Sequence, residues 1–316
     1  MQTRLLVPDD QGLAEASALL ARGELVAMPT ETVYGLAGDA RDGRAVARIY
    51  EAKGRPSFNP LIVHLPDLGA AERIAVLDDA AHDLADAFWP GALTLVLPLR
   101  PGSGIAPLVT AGLDTVAIRV PAHPVAQALL RRFGGPLAAP SANPSGRISA
   151  TTAAHVADPV TGLGGRIAAV LDAGACPVGV ESTIIGWQDG RPVLLRPGGL
   201  PAEAIAAALG GPVATPRLDP AAPNAPGQLT SHYAPRASLR LNATAARPGE
   251  LLIGFGPVAG EMSLSEGADL AEAAARLFEL LHQADAQGRP IAVAPVPETG
   301  LGAAINDRLR RAAAPR

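Results

Sequence analysis

The sequence predicts an α/β protein, with one large sheet and its helices over residues 1–210 and a small parallel α/β unit over 238–316. Three features lead there. Short apolar runs alternate with segments of helical spacing through the first stretch, the pattern of a sheet covered by helices. Between Gly211 and Ala237, six prolines from Pro212 to Pro235 interrupt any periodicity and mark a linker. From Ser238 onward, strand and helix patterns resume on a smaller scale.

Taken in order, Leu25-Val26-Ala27-Met28 reads as a strand that stops at Pro29, and Gly43 to Ala52 has helical spacing through Val46, Ile49 and Tyr50. Leu61 to Leu65, Leu93 to Leu97 and Thr115 to Val120 are apolar enough for buried strands. Pro124 to Phe133 reads as a helix, with proline in the first turn where its missing N–H is not needed. Strands return at Pro136 to Ala139, Ile167 to Leu171, Ser182 to Trp187 and Val193 to Leu195, followed by a helix from Pro201 to Leu209. The proline-rich linker 211–237 is semi-extended at about 3.1 Å per residue, so it can cross a domain face. Beyond it, Leu239 to Leu241, Leu251 to Phe255 and Ile291 to Pro295 read as strands. Asp269 to Ala284 and Leu301 to Ala313 read as helices.

Composition narrows the function. With 48% hydrophobic and 18% charged residues, the chain can bury a substantial core. A net charge of -4 and 3% aromatics disfavour a protein that grips nucleic-acid backbone or stacks single-stranded bases. A local groove of Arg131, Arg132, Arg147 and Arg166 keeps weak RNA binding open as the rival reading. Cys176 stands alone, which excludes a disulfide framework and reads as an inert buried thiol. The N-terminus lacks a signal-peptide core, and no apolar run reaches the roughly 20 residues that span a bilayer. The expectation is a cytoplasmic protein without membrane contact.

Several catalytic signatures are missing. The sole lysine follows Ala52 and cannot complete a Walker loop, no serine lies in a Gly-x-Ser-x-Gly elbow, and no histidines pair closely enough for a protein-built metal site. Polar loops at strand ends are present instead. Thr30-Glu31-Thr32 follows the first apolar run, and Ser141-Ala142-Asn143-Pro144-Ser145-Gly146-Arg147 follows another. Open α/β sheets place ligands at such positions, although each loop alone also reads as a capped turn. Arg119 ends an apolar strand and needs an anion, either a substrate carboxylate or a structural partner. His64 is similar, and Glu181-Ser182-Thr183 and Leu195-Arg196-Pro197-Gly198 repeat the arrangement. Lys53 is the only lysine against 25 arginines, beside Gly54-Arg55-Pro56, where two cations on one turn suit phosphates. Together these groups offer cations and hydroxyls without a nucleophile. That set suits phosphoryl-type transfer by positioning and electrostatics.

Pro29 to Leu36, Lys53 to Pro56, Asn59-Pro60-Leu61, Pro90 to Thr94 and Pro140 to Asn143 resemble the YrdC-like family. Ser231-His232-Tyr233-Ala234-Pro235 and the unit after it look like that family's longer form, the L-threonylcarbamoyladenylate synthases. The resemblance implies a large twisted open mixed sheet. It also implies condensation of L-threonine, bicarbonate and ATP to threonylcarbamoyl-AMP and pyrophosphate. A separate transferase then modifies the adenosine beside the tRNA anticodon. By the same resemblance Lys53, Arg55, Ser141 and Asn143 surround the reacting groups. Arg55, Asn59, Thr115, Ser141, Ser149, Arg196 and Tyr233 match ATP-binding positions, and Thr32, His64, Arg119, Ala139 and Ser182 match threonine-binding ones. Mg²⁺ is expected to arrive with the ATP phosphates, and Tyr233 makes the linker a candidate lid.

Overall fold

The computed structural model describes residues 2–56, 59–215 and 231–315. Five strands open the chain: β1 (Arg4–Leu6), β2 (Val26–Met28), β3 (Gly35–Asp39), β4 (Ile62–His64) and β5 (Leu93–Pro98). Five more follow: β6 (Thr115–Arg119), β7 (Leu137–Ala138), β8 (Ala169–Leu171), β9 (Thr183–Gln188) and β10 (Arg191–Arg196). They form one mixed sheet in the order β1-β8-β2-β3-β7-β4-β6-β5-β9-β10, so the expected large mixed sheet is observed.

Register decides what the sheet presents. His64 of β4 pairs with Arg119 of β6, Arg119 pairs with Thr94 of β5, and Thr94 pairs with Ile184 of β9. Residues in register share a face, so this row crosses four strands on one side. Next to it on the same face Ile62, Val96 and Ala117 join Ile184 in an apolar floor. On the other face Val63, Leu95, Ile118 and Ile185 enter the main core. Both faces are therefore buried, which explains why these strands read as continuous apolar runs.

The helix Gly43–Lys53 shows how local chemistry places a functional group. Asp42 caps its start by accepting from the Arg44 N–H, and Gly54 ends it in the left-handed region at φ 60°. Lys53 is thus the last helical residue, its cation favoured by the carbonyl end of the helix.

Helices Asp10–Ala21 and Asp79–Phe88 occupy stretches in which the sequence shows no clear element. Asp9 and Asp78 cap them, but many of their apolar positions are alanine, and in Asp10–Ala21 the contrast between faces is low. Strand β3 contains two glycines and would be a weak strand alone; antiparallel pairing with β2 and β7 enforces it.

Of the linker, Gly211–Thr215 and Ser231–Ala237 are described; Pro216, Pro220, Pro223 and Pro226 lie outside the described residues. The C-terminal unit contains β11 (Leu239–Arg240), β12 (Leu251–Gly254), β13 (Met262–Ser263) and β14 (Ile291–Val293), all parallel in the order β11-β14-β12-β13. Helices Leu270–Ala286 and Leu301–Ala312 cover it. Its core is shared: Val33, Ile148, Val180 and Tyr233 pack with Leu277, Phe278 and Ile305. Gly179 sits at this seam with φ 75°, and a Cβ there would lie 2.4 Å from the Ala274 carbonyl oxygen. Among the described residues no helix is long and apolar enough to cross a membrane.

Candidate active site

A cleft opens over the His64–Arg119 row, where the loops after β2 and β7 and before β9 meet the turn at Arg55 and the last residues of β4, β6 and β10. Arg55, His64, Arg119, Ser141, Ser182 and Arg196 line it, with Thr30, Thr32, Glu181, His232 and Tyr233.

At one corner the Lys53 ammonium donates to the carbonyl oxygens of Ser141 and Asn143, each at 2.5 Å. Sequence reading places this cation toward the ligand; in the structure it fastens the Ser141–Asn143 loop and lies behind the cleft lining. Burial, then the neighbouring Arg55 guanidinium, pull its pKa well below the ordinary lysine value. Arg55 does face the cleft. Its Nε and Nη2 donate to the carbonyls of Asn59 and Pro60 at 3.2 and 2.9 Å, and burial pulls its pKa down to about 10.

Arg119 is held from three sides. Its Nη1 donates to the Thr32 hydroxyl at 2.9 Å, its Nε to the Gly91 carbonyl at 3.2 Å, and its Nη2 lies 2.6 Å from Glu31 Oε1. Burial alone would raise the Glu31 carboxyl, but the Arg119 charge outweighs it and holds the group below its ordinary value. His64 places Nδ1 3.3 Å from the Ile62 carbonyl. A proton on that nitrogen leaves Nε2 as an acceptor. Burial and the Arg119 charge lower its pKa to about 3, so the ring is neutral near pH 7.

The opposite wall is built from both units. Glu181 accepts from the Ser149 hydroxyl at 2.5 Å and from Arg308 Nε at 2.7 Å. Burial raises its carboxyl, while Arg308, Arg196 and Ser149 together hold it below the ordinary range. Arg196 donates through Nε and Nη2 to the Ser182 carbonyl, and the Ser182 hydroxyl meets Thr94 Oγ1 at 2.7 Å. Tyr233 is buried at the edge of the cleft, its ring 4.1 Å from His232, 5.7 Å from Phe278 and 5.1 Å from the Arg308 guanidinium carbon.

A family model described as Telomere recombination, spanning the Sua5, YciO and YrdC proteins, matches residues 18–198. A second, described as the C-terminal domain of threonylcarbamoyl-AMP synthase, matches residues 200–314. A Bacillus subtilis threonylcarbamoyl-AMP synthase is 43% identical over 98% of this chain and 94% of its own length. The chain belongs to the threonylcarbamoyl-AMP synthase family. The crystal structure of Pyrococcus abyssi Sua5 complexed with L-threonine superposes with a TM-score of 0.89 at 38% identity, covering 99% of this chain and 98% of that one. Escherichia coli YciO shares the fold of the larger unit, with a TM-score of 0.54 at 22% identity over 62% of this chain and 95% of its own.

Most positions carried over from this family meet at the cleft: Thr32, Arg55, His64, Arg119, Ala139, Ser141, Ser182, Arg196 and Tyr233 line it together. The others stand behind it or along the sheet. Asn143 is buried, its Nδ2 donating to the carbonyls of Pro144 and Arg147 and its Oδ1 without a partner. Asn59 is buried with its own Oδ1 unpartnered. Ser149 acts on the wall through Glu181. Thr115 opens β6, on the same face as Arg119 and four residues away, about 13 Å along the strand. The four arginines proposed for an RNA groove do not gather: Arg147 and Arg166 line one cleft and Arg131 another. Glu31 and Glu181 enter the motif reading only as members of their loops, without a role of their own, and Arg308 does not enter it; the structure pairs Glu31 with Arg119 and Glu181 with Arg308. Cys176 is buried, its thiol pushed up to about 12 by burial, as an inert core group.

Proposed function

We propose that this chain condenses L-threonine, bicarbonate and ATP to threonylcarbamoyl-AMP and pyrophosphate. The observation that carries the reading is the set of guanidiniums from Arg55, Arg119 and Arg196 around one cleft, interleaved with the hydroxyls of Thr32, Ser141 and Ser182. Such a cleft holds a small acid beside a polyphosphate. The relative solved with L-threonine supports the choice of amino acid.

In this reading the threonine carboxylate meets Arg119 and the Thr32 hydroxyl, while the neutral His64 Nε2 accepts a hydrogen bond from the substrate. The threonine amine attacks bicarbonate carbon, and water leaves as the carbamate forms. A carbamate oxygen then attacks the α-phosphorus of ATP, and the bond to the β-phosphate bridge oxygen breaks to release pyrophosphate. Arg55 and Arg196 steady the phosphate charge, with Ser141 and Asn143 on a loop that Lys53 fastens. The apolar face from Ala117 toward Thr115 gives the nucleoside a path along the sheet. Tyr233 closes over the nucleotide.

Mg²⁺ is proposed to enter on the ATP phosphates, where it neutralises their charge. Among the described residues the carboxylate that lines the cleft, Glu181, is already held by Ser149 and Arg308. The product is proposed to pass to a separate transferase acting on tRNA.

The test is pyrophosphate release from ATP and bicarbonate with L-threonine, with L-serine, or with no amino acid. Threonine-dependent release is expected. Release indifferent to the amino acid, or RNA binding without release, sinks the reading.

A further inference from the structure

Arg308 stands outside the cleft lining, on the helix Leu301–Ala312 of the C-terminal unit, yet its side chain has no solvent exposure. It shares the buried stripe of that helix with Ala304, Ile305, Leu309 and Ala312. Its Nε donates to Glu181 Oε2 at 2.7 Å, and its Nη1 donates to the Pro197 carbonyl at 2.9 Å and to Asp307 Oδ2 at 2.7 Å. Its guanidinium carbon lies 5.1 Å from the Tyr233 ring, and its Nη2 has no hydrogen-bond partner.

A guanidinium withdrawn from water is costly unless it is paired. Two units that needed only to adhere would do so through apolar side chains, which already form a shared core between them. Besides Asp307 and the Pro197 carbonyl, the specific contacts run to Glu181, which lines the cleft, and to the Tyr233 ring at its edge. Without its ion pair, Glu181 would repel a polyphosphate in the cleft it lines and draw the Arg196 guanidinium toward itself.

We propose that Arg308 is a positioning residue for the nucleotide, contributed by the C-terminal unit. It neutralises and orients Glu181 and sets the Tyr233 ring, so the cleft accepts a polyphosphate only while the C-terminal unit is docked. Glu181 is faced by Arg308, Arg196 and the Ser149 hydroxyl; Arg308 in turn is shared with Asp307, which also holds Arg311. The inference rests on the reading that this cleft takes ATP.

The test measures ATP affinity of the full chain by equilibrium dialysis without threonine, alongside thermal unfolding. Arg308→Gln is expected to weaken ATP about tenfold or more, because it removes the ion pair of Glu181 and leaves that carboxylate to the Ser149 hydroxyl and to the cations meant for the phosphates. Arg308→Lys, which keeps the charge but loses the fork, falls between. The double variant Arg308→Gln/Glu181→Gln is expected to recover most of the loss, which a merely adhesive role would not allow.

Unchanged affinity in a folded Arg308→Gln protein overturns the inference. So does a double variant no tighter than the single. If Arg308→Gln does not fold, Arg308→Lys is compared with Arg308→Lys/Glu181→Gln, and recovery or its absence decides in the same way. Failure of the functional reading shows in the unaltered chain, as ATP that is not held or pyrophosphate that is not released. Failure of this inference shows only in the variants.

Discussion

Glu31 and Arg119 face each other across 2.6 Å inside the cleft wall, the carboxylate and the guanidinium both buried. The arginine proposed to receive the threonine carboxylate therefore already has an anion at one Nη. A substrate carboxylate must approach the fork from the Thr32 side, where Nη1 points. Replacing Arg119 by Gln should raise the threonine KM about tenfold to a hundredfold while changing the ATP KM far less. Steady-state kinetics with each substrate varied in turn measures this. Equal effects on both substrates would dissociate Arg119 from threonine.

Lys53→Ala should fold and lose most threonine-dependent pyrophosphate release, about tenfold or more. Two carbonyls lose their donor and the Ser141–Asn143 loop loses its fastening. Lys53→Arg should not restore the rate, because a planar fork cannot reproduce two 2.5 Å contacts from one nitrogen. Pyrophosphate release and a melting curve on each variant decide the matter. Near-normal turnover in Lys53→Ala removes the residue from the mechanism.

Stability should fall with acidity before the carboxylates titrate. Burial first, then neighbouring cations, lowers His64 to about 3 and His282 to about 4, and His232 also lies well below its ordinary 6.5. Below pH 6.5 the unfolded chain binds protons that these folded rings refuse, so each contributes a loss of about 1.4 kcal/mol per pH unit until its folded pKa is reached. Glu31 and Glu181, both held below 4.5, add their own loss only further down, as pH falls through their folded values. His64→Asn should flatten the slope between pH 6.5 and 5 by one such increment. Urea midpoints across that range provide the measurement, and an unchanged slope contradicts a neutral buried His64.

Gly179→Ala should separate the two units more than it unfolds either. Its backbone is left-handed, and the new Cβ would meet the Ala274 carbonyl oxygen at 2.4 Å and Ala275 beside it. A cost of about 2 kcal/mol or more is expected at the seam. Looser docking should expose Tyr233 and Phe278 and weaken ATP retention. Hydrogen exchange in the helix Leu270–Ala286, compared with that in β5 and β6, shows whether the effect is local. Uniform destabilisation of both units would contradict a seam defect.

Where chemistry and local pattern coincide, the site is legible in the sequence. His64 and Arg119 interrupt apolar runs at strand ends, where a polar side chain needs a partner or a cleft, and both line the cleft. The ends of Gly43–Lys53 are equally legible, because Asp42 and Gly54 are strong cap residues. Lys53 shows the limit. Its position was readable, but the direction of its ammonium depends on carbonyls 88 and 90 residues away. Arg308 was hidden by its neighbours, since Asp307, Arg310 and Arg311 make the segment look like a solvated charged face. The available signal was its place on the Ala304–Ile305–Leu309–Ala312 stripe. Glu31 and Glu181 carry no local sign that each would be matched with an arginine far along the chain.

The row that runs from His64 through Arg119 to Thr94 has a further consequence. Its pitch, about 4.8 Å from rung to rung, is fixed by backbone hydrogen bonds and not by the side chains that stand on it. Substitution can therefore re-letter a rung, exchanging imidazole for hydroxyl or guanidinium for amide, while the distances between rungs stay constant. A change of preferred ligand on this scaffold need not begin with a change of shape.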